Sequence, residues 1–231
     1  MNNCISFTLH SLSGTREFNM PYQNLFAIGY AGRNIEKTLE HIRELEVELG
    51  VPAPKKIPTI FQCSNLLLTQ DNSFHVLGER TCGEVEYIII RCDGGTYIGV
   101  GSDHTDRDLE SASVPKAKQV CPKPIGGEIW DYEELRDHWD EIEICSYQTV
   151  NGTEVLYQKG TLADILPVET ILKELEERVG DIGNSIIFSG TVPALNGFKF
   201  GSSFRGEMKD RKLGRTITCT YHVAVISEEE R

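Results

Sequence analysis

Two carboxylates, Glu84 and Glu86, stand two positions apart at the head of a strongly apolar stretch, Tyr87-Ile88-Ile89-Ile90. Residues i and i+2 of a β-strand share a face. If this stretch folds as a strand, two negative charges lie side by side next to a run of isoleucine. Either the strand is an exposed edge with both glutamates in water, or a positive group sits between them. Oxygen donors suit the hard cations magnesium, calcium and manganese. The strand is expected to turn at Asp93-Gly94-Gly95 and to return through Ser102-Asp103, which brings Asp103 toward the glutamate pair. Three carboxylates then converge and leave roughly half of an octahedral shell for water and substrate.

The rest of the chain reads as many short strands and few helices. Cys4 to His10 alternates apolar and polar residues, and Leu25–Gly29 forms a second strand. Asn34 is placed to cap a helix whose apolar residues Ile35, Leu39, Ile42, Leu45 and Leu49 make one stripe, with Gly50 and Pro52 to end it. A short helix is expected around Tyr132–Trp139. Asn151-Gly152 predicts a type I′ hairpin. A second amphipathic helix runs from Pro167 through Val179, and a long last strand lies near Thr216–Ile226. Strands and helices do not alternate as βαβα, which argues against a doubly wound sheet. The fold class is mixed α+β, mainly β: a roll or sandwich with peripheral helices. The proline-rich segment at 51–58 divides a small N-terminal lobe, 1–58, from a larger domain, 59–231.

Charge narrows the partners. With 23 basic and 35 acidic residues, the net charge is −12. That balance argues against a phosphate-backbone binder, which would need a basic face, and against docking on an anionic membrane surface. No apolar run reaches the roughly 18 residues of a membrane span, and the first residues lack a secretory pattern. Seven scattered cysteines with no CxxC pair read as reduced thiols, and the expected location is the cytoplasm.

Four segments in order resemble the fumarylacetoacetate hydrolase superfamily: Glu84-Val85-Glu86; Asp103-His104-Thr105-Asp106-Arg107-Asp108; Ala117-Lys118-Gln119-Val120-Cys121-Pro122; and Ser189-Gly190-Thr191-Val192-Pro193-Ala194-Leu195. The resemblance spans about residues 25–226, and is closer still to a branch catalogued mainly as a domain of unknown function. It implies a β-rich roll, a homodimer, and one Mg²⁺ or Mn²⁺ ion, with Ca²⁺ as a substitute, held by Glu84, Glu86 and Asp103. It assigns Lys118 to catalysis, and Gly190 and Thr191 to the substrate's carboxylate. His41 and Glu44 match the family's H-x-x-E acid/base pair. At 100° per residue they sit roughly 60° apart on the helix, off its apolar stripe; on residues alone they also fit an ordinary wet face. Arg107 either pairs with Glu84 or Glu86 or contacts an anionic substrate. Three departures fall on the substrate side: the stretch from Glu86 to Asp103 is shorter than in many relatives, Gln62 stands where the family has a lysine, and Gly29-Tyr30 stands where it has Asn-Tyr.

The function implied is hydrolytic C–C cleavage of a small oxo or diketo carboxylic acid, acylpyruvase-like, through a metal-stabilised enolate. A decarboxylase, hydratase or isomerase with the same site is the first alternative. A non-catalytic binding or scaffold protein of the same fold, suggested by Gln62, is the second.

Overall fold

The stretch after Glu84 does form a strand, Val85–Cys92, buried on both faces over its first six residues. It pairs antiparallel with Gly95–Ser102 in a register that sets Val85 opposite Ser102. The computed structural model describes residues 3–49, 53–92 and 95–229; the turn residues Asp93 and Gly94 lie outside the described residues.

In chain order the strands are β1 (Asn3–Ser11), β2 (Gly14–Tyr22), β3 (Asn24–Gly29), β4 (Thr59–Cys63), β5 (Leu68–Thr69), β6 (Ser73–Leu77), β7 (Thr81–Cys82), β8 (Val85–Cys92) and β9 (Gly95–Ser102). They continue with β10 (Thr105–Asp106), β11 (Lys123–Pro124), β12 (Glu128–Asp131), β13 (Glu143–Val150), β14 (Thr153–Thr161), β15 (Ser185–Thr191), β16 (Ser203–Asp210) and β17 (Arg215–Ile226). The α-helices are α1 (Ile35–Leu49), α2 (Arg107–Ala112), α3 (Val114–Val120) and α4 (Val168–Arg178). The large sheet runs β2-β1-β12-β9-β8-β15-β3-β4, and a five-stranded sheet runs β14-β13-β16-β17-β6. The fold is therefore mainly β with peripheral helices, as expected. Strands from residues 1–58 and from 59–231 share the large sheet, where β3 pairs with both β15 and β4.

Strand β8 sits between two cores. Val85, Tyr87 and Ile89 join the larger cluster with Phe204, Met208 and Tyr221 of the five-stranded sheet. Ile88 and Ile90 point the other way, into a cluster with Phe7, Leu25 and Ile129. The alternation puts Glu86 on the Ile88/Ile90 side.

Local signals account for most boundaries. The Asn34 side chain accepts from the Lys37 N–H and opens α1. Of the expected α1 stripe, Ile42 is buried while Ile35 and Leu39 are exposed; the side chains of Leu45 and Leu49 lie outside the described residues. Asn151 (φ 50°) and Gly152 (φ 77°) make the left-handed pair that a type I′ turn requires. The segment expected as a helix at Tyr132–Trp139 is instead two 3₁₀ turns, Tyr132–Glu134 and Arg136–Glu141, broken at His138. His138 is held there by Asp210, which accepts from its Nε2 at 3.0 Å. All seven cysteines are free thiols. No helix among the described residues is long and apolar enough to cross a membrane.

Candidate metal centre and active site

The β8/β9 pairing positions the carboxylates. The Asp103 N–H donates to the Glu84 carbonyl at 3.0 Å, just beyond the Val85–Ser102 pair. Glu84, Glu86 and Asp103 each present an oxygen, and the three lie within 4.8 Å of one another. Two oxygens on opposite sides of one ion lie about 4.2 Å apart for Mg²⁺ and farther for Ca²⁺. A set of three carboxylates at this spacing, with no thiolate or imidazole among them, fits a hard divalent cation.

The three differ in what compensates them. Glu84 Oε1 lies 3.1 Å from Arg107 Nη2, and its Oε2 lies 3.1 Å from Lys118 Nζ. Asp103 Oδ2 is 2.8 Å from Lys118 and its Oδ1 is 3.0 Å from Lys123. Burial pushes both carboxyls up, but these cations outweigh it and hold both below the ordinary value. Glu86 has no cation within ion-pair distance among the described residues; its Oε2 accepts the Gly190 N–H at 2.9 Å. Burial first, then Asp103 and Glu84, raise Glu86 well above the carboxylate range. Burial disfavours the Lys118 ammonium, yet Asp103 and Glu84 hold it well above its ordinary value, as a firmly charged group.

Each of the other groups has a structural reason for its place. Asp106 caps α2, accepting from the Leu109 N–H, and so sets Arg107 at the first helical position. Arg107 takes the ion-pair role: beside Glu84 it bonds Glu110 at 2.7 Å and Cys82 Sγ at 3.0 Å, with the Phe198 ring 4.4 Å away over its guanidinium. Lys118 stands on α3, which Gln119 ties to the strand through Gln62 O and to Ser64 N. Lys123 is wholly buried and donates to His104 O and Cys121 O as well as Asp103.

Gly190 sits at an irregularity in the β15–β8 pairing, between Phe188 and Thr191. There the chain takes φ +92° and turns an amide toward Glu86. A Cβ at this position would meet Ala31 Cβ at 2.7 Å and Ile28 O at 2.9 Å. Gly190→Ala is therefore expected to destabilise the fold by about 2–3 kcal/mol, through strain and overpacking together. A denaturant midpoint unchanged within error would contradict the placement. The Thr191 hydroxyl donates to Val85 O at 2.6 Å and accepts from Gln158 Nε2 at 2.8 Å, so it is committed to the frame of the loop.

His104, next to Asp103, is buried between Thr81 and Tyr221, each 2.9 Å from a ring nitrogen. Burial, Lys123 and Arg107 push it down to about 3, which keeps it neutral. Burial raises the Cys121 thiol to about 11, the signature of a packed thiol and not of a nucleophile. His41 and Glu44 fall within α1, but their side chains lie outside the described residues.

Two participants escaped the sequence reading. Lys123 lay in a Cys-Pro-Lys-Pro stretch with no periodicity to place it inside. Gln158 accepts from Val85 N and Ser146 Oγ and donates to Thr191 Oγ1 and Val192 O, which clamps β8 to the Gly190-Thr191 loop. Nothing in its alternating strand marked it apart from an exposed glutamine.

A family model described as Protein of unknown function (DUF2848) matches residues 28–221. The chain belongs to the DUF2848 family. Solved structures place this DUF2848 chain in a wider fold. Cg1458 is 13% identical with a TM-score of 0.65, over 97% of this chain and 100% of that one. Yeast ynq8, a fumarylacetoacetate hydrolase family protein, is 14% identical with a TM-score of 0.61, over 88% and 93%. A 2-keto-3-deoxy-D-arabinonate dehydratase, in a structure complexed with magnesium and 2,5-dioxopentanoate, is 18% identical with a TM-score of 0.59, over 89% and 74%. At these identities the likeness establishes the fold, which is fumarylacetoacetate hydrolase-like. No curated protein matches the sequence.

Proposed function

We propose that this DUF2848 chain is a divalent-metal-dependent enzyme acting on a small oxo carboxylic acid. The observation that carries the reading is the convergence of Glu84, Glu86 and Asp103 within 4.8 Å, with Glu86 and Asp103 buried and, among the described residues, no cation within ion-pair distance of Glu86. Mg²⁺ or Mn²⁺ fits this donor set. When bound, such an ion supplies Lewis-acid withdrawal of charge from the oxygens of the acid.

The chain's own groups do the rest. Arg107 and Lys123 fix Glu84 and Asp103 in place, and the Gly190 N–H fixes Glu86. Lys118, charged and at the carboxylates, neutralises a carboxylate or developing oxyanion of the substrate. Gly190 and Thr191 shape the loop beside it. His41 with Glu44 takes or delivers a proton, Glu44 orienting the imidazole. The first reading of the reaction is C–C hydrolysis of an acylpyruvate-like diketo acid. Loss of water from a sugar-derived 2-oxo acid is the second, favoured by the fold shared with a dehydratase whose structure carries magnesium and 2,5-dioxopentanoate. A homodimer in the cytoplasm belongs to the same reading.

Thermal melting with millimolar Mg²⁺ or Mn²⁺ tests the metal. Wild type is expected to melt higher with either ion, by about 2.7 kcal/mol of added stability at 100 times Kd, and Glu84→Ala to lose the shift. No ion-dependent shift in wild type overturns the reading. Turnover is then sought across oxaloacetate, acylpyruvates and sugar-derived oxo acids. Activity surviving intact in His41→Ala removes the dyad from the mechanism.

A further inference from the structure

The oxygens that would ligate an ion are not idle in this fold. All four oxygens of Glu84 and Asp103 already lie within 3.1 Å of a protein cation: Arg107 and Lys118 on Glu84, Lys123 and Lys118 on Asp103. The three cations are not equally fixed. Arg107 is also held by Glu110, by Cys82 and under the Phe198 ring. Lys123 is fully buried and spends its other hydrogens on two backbone carbonyls. Among the described residues, Lys118 alone bridges two of the converging carboxylates, and its one further hydrogen-bond partner there is the neutral Thr105 hydroxyl, at 3.1 Å.

We propose that Lys118 is the resident cation of the metal-free site, and that its ammonium yields its place between Glu84 and Asp103 to the divalent ion. This rests on the metal reading above and adds the order in which the site is loaded. An ammonium 2.8–3.1 Å from two carboxylate oxygens, and a dication about 2.1 Å from oxygens of the same two groups, are neighbouring like charges. Among buried groups such as Asp103 and Lys118 that repulsion is weakly screened. Lys118 keeps the carboxylates assembled before the ion arrives, then swings away from them on its flexible stem while the ion takes their oxygens. Loading is an exchange of one cation for another, with no proton gained or lost by the lysine.

The alternative is that Lys118 orients the ligands and stays seated, as an outer partner of a metal ligand does. The two predict opposite signs for Lys118→Met, which removes the charge and keeps the apolar stem. Mn²⁺ binding is followed by the electron paramagnetic resonance signal of the free ion. If Lys118 competes, the variant binds Mn²⁺ more tightly, on the order of tenfold, the usual size of such a coupling, while its metal-free form melts lower than wild type. An equal or weaker affinity overturns the exchange and leaves the metal site standing. Absence of Mn²⁺ binding in both proteins overturns the metal reading and the exchange together; binding in the variant alone supports both. A second measurement needs only wild type. Lys118 should become several-fold more reactive toward an amine reagent when Mn²⁺ is added, by peptide mass spectrometry, with the exposed lysines unchanged as an internal reference. Unchanged or lower reactivity at Lys118 overturns the exchange even if Lys118→Met does not fold.

Discussion

Glu86→Gln is expected to abolish metal-dependent turnover and the metal-dependent rise in melting temperature, while leaving the metal-free protein as stable as wild type or more so. The two effects have one cause. Among the three carboxylates, Glu86 alone has no basic side chain of the described residues within ion-pair distance, and burial together with Asp103 and Glu84 makes its charge unfavourable until a cation arrives. Glutamine keeps the shape and an oxygen to accept the Gly190 N–H, but removes the charge that draws the ion. Several kcal/mol of charge stabilisation depends on a bound ion of this kind, so turnover should drop by about 10³-fold. A pH series separates this from a simple packing change. A carboxyl raised in the folded state makes the fold bind more protons than the unfolded chain above its ordinary value of 4.5. The metal-free wild type should therefore lose the stability tied to this group as pH climbs from there toward the raised value. Glu86→Gln should lack that slope. A variant that still shows the wild-type metal shift would remove Glu86 from the ligand set.

The part of this site that was legible in the sequence is the part that obeys a period. Glu84 and Glu86 share a face because a strand alternates, and Asp103 returns to them because the strand is followed by turn residues and a second apolar run. Fold class followed from many short strands, from Asn34 as a cap and from Asn151-Gly152 as a turn, each a local signal with a local cause. What stayed hidden depends on contacts between segments distant in sequence. Lys123 is a buried cation only because β11 runs beneath His104 and Asp103. Gln158 is a clamp only because the five-stranded sheet brings β14 against Val85 and Thr191. The expected helix at Tyr132–Trp139 failed for a similar reason: the buried Asp210, from β16, holds His138 in a conformation that breaks it. The resemblance assigned Thr191 to the substrate's carboxylate; the structure adds that its hydroxyl donates to Val85 O and accepts from Gln158.

Asp103→Asn is expected to have the opposite balance to Glu86→Gln, a large loss of stability whether or not metal is present. Both oxygens of Asp103 are occupied by ammonium groups, Lys118 at 2.8 Å and Lys123 at 3.0 Å, and both lysines are buried. Asparagine halves the acceptors, turns an amide N–H toward one of two ammonium groups, and removes the only carboxylate that Lys123 has within ion-pair distance among the described residues, whereas Lys118 keeps Glu84. Removing one side of a buried ion pair costs about 3–5 kcal/mol, because the remaining charge is uncompensated. A chain of this size loses roughly 2–4 °C of melting temperature per kcal/mol, so the midpoint should fall by roughly 6–20 °C. Millimolar Mn²⁺ should not restore it, since the deficit lies at Lys123, which no ion at the carboxylates compensates. Lys123→Met supplies the complementary case: it strips Asp103 Oδ1, His104 O and Cys121 O of their donor, and should destabilise by a similar amount. The double variant Asp103→Asn with Lys123→Met should cost clearly less than the sum of the singles, because the two residues share the interaction that each single variant breaks. Additive losses would mean that Asp103 and Lys123 act independently, and would sink the view that this buried lysine is there to hold the third carboxylate in place.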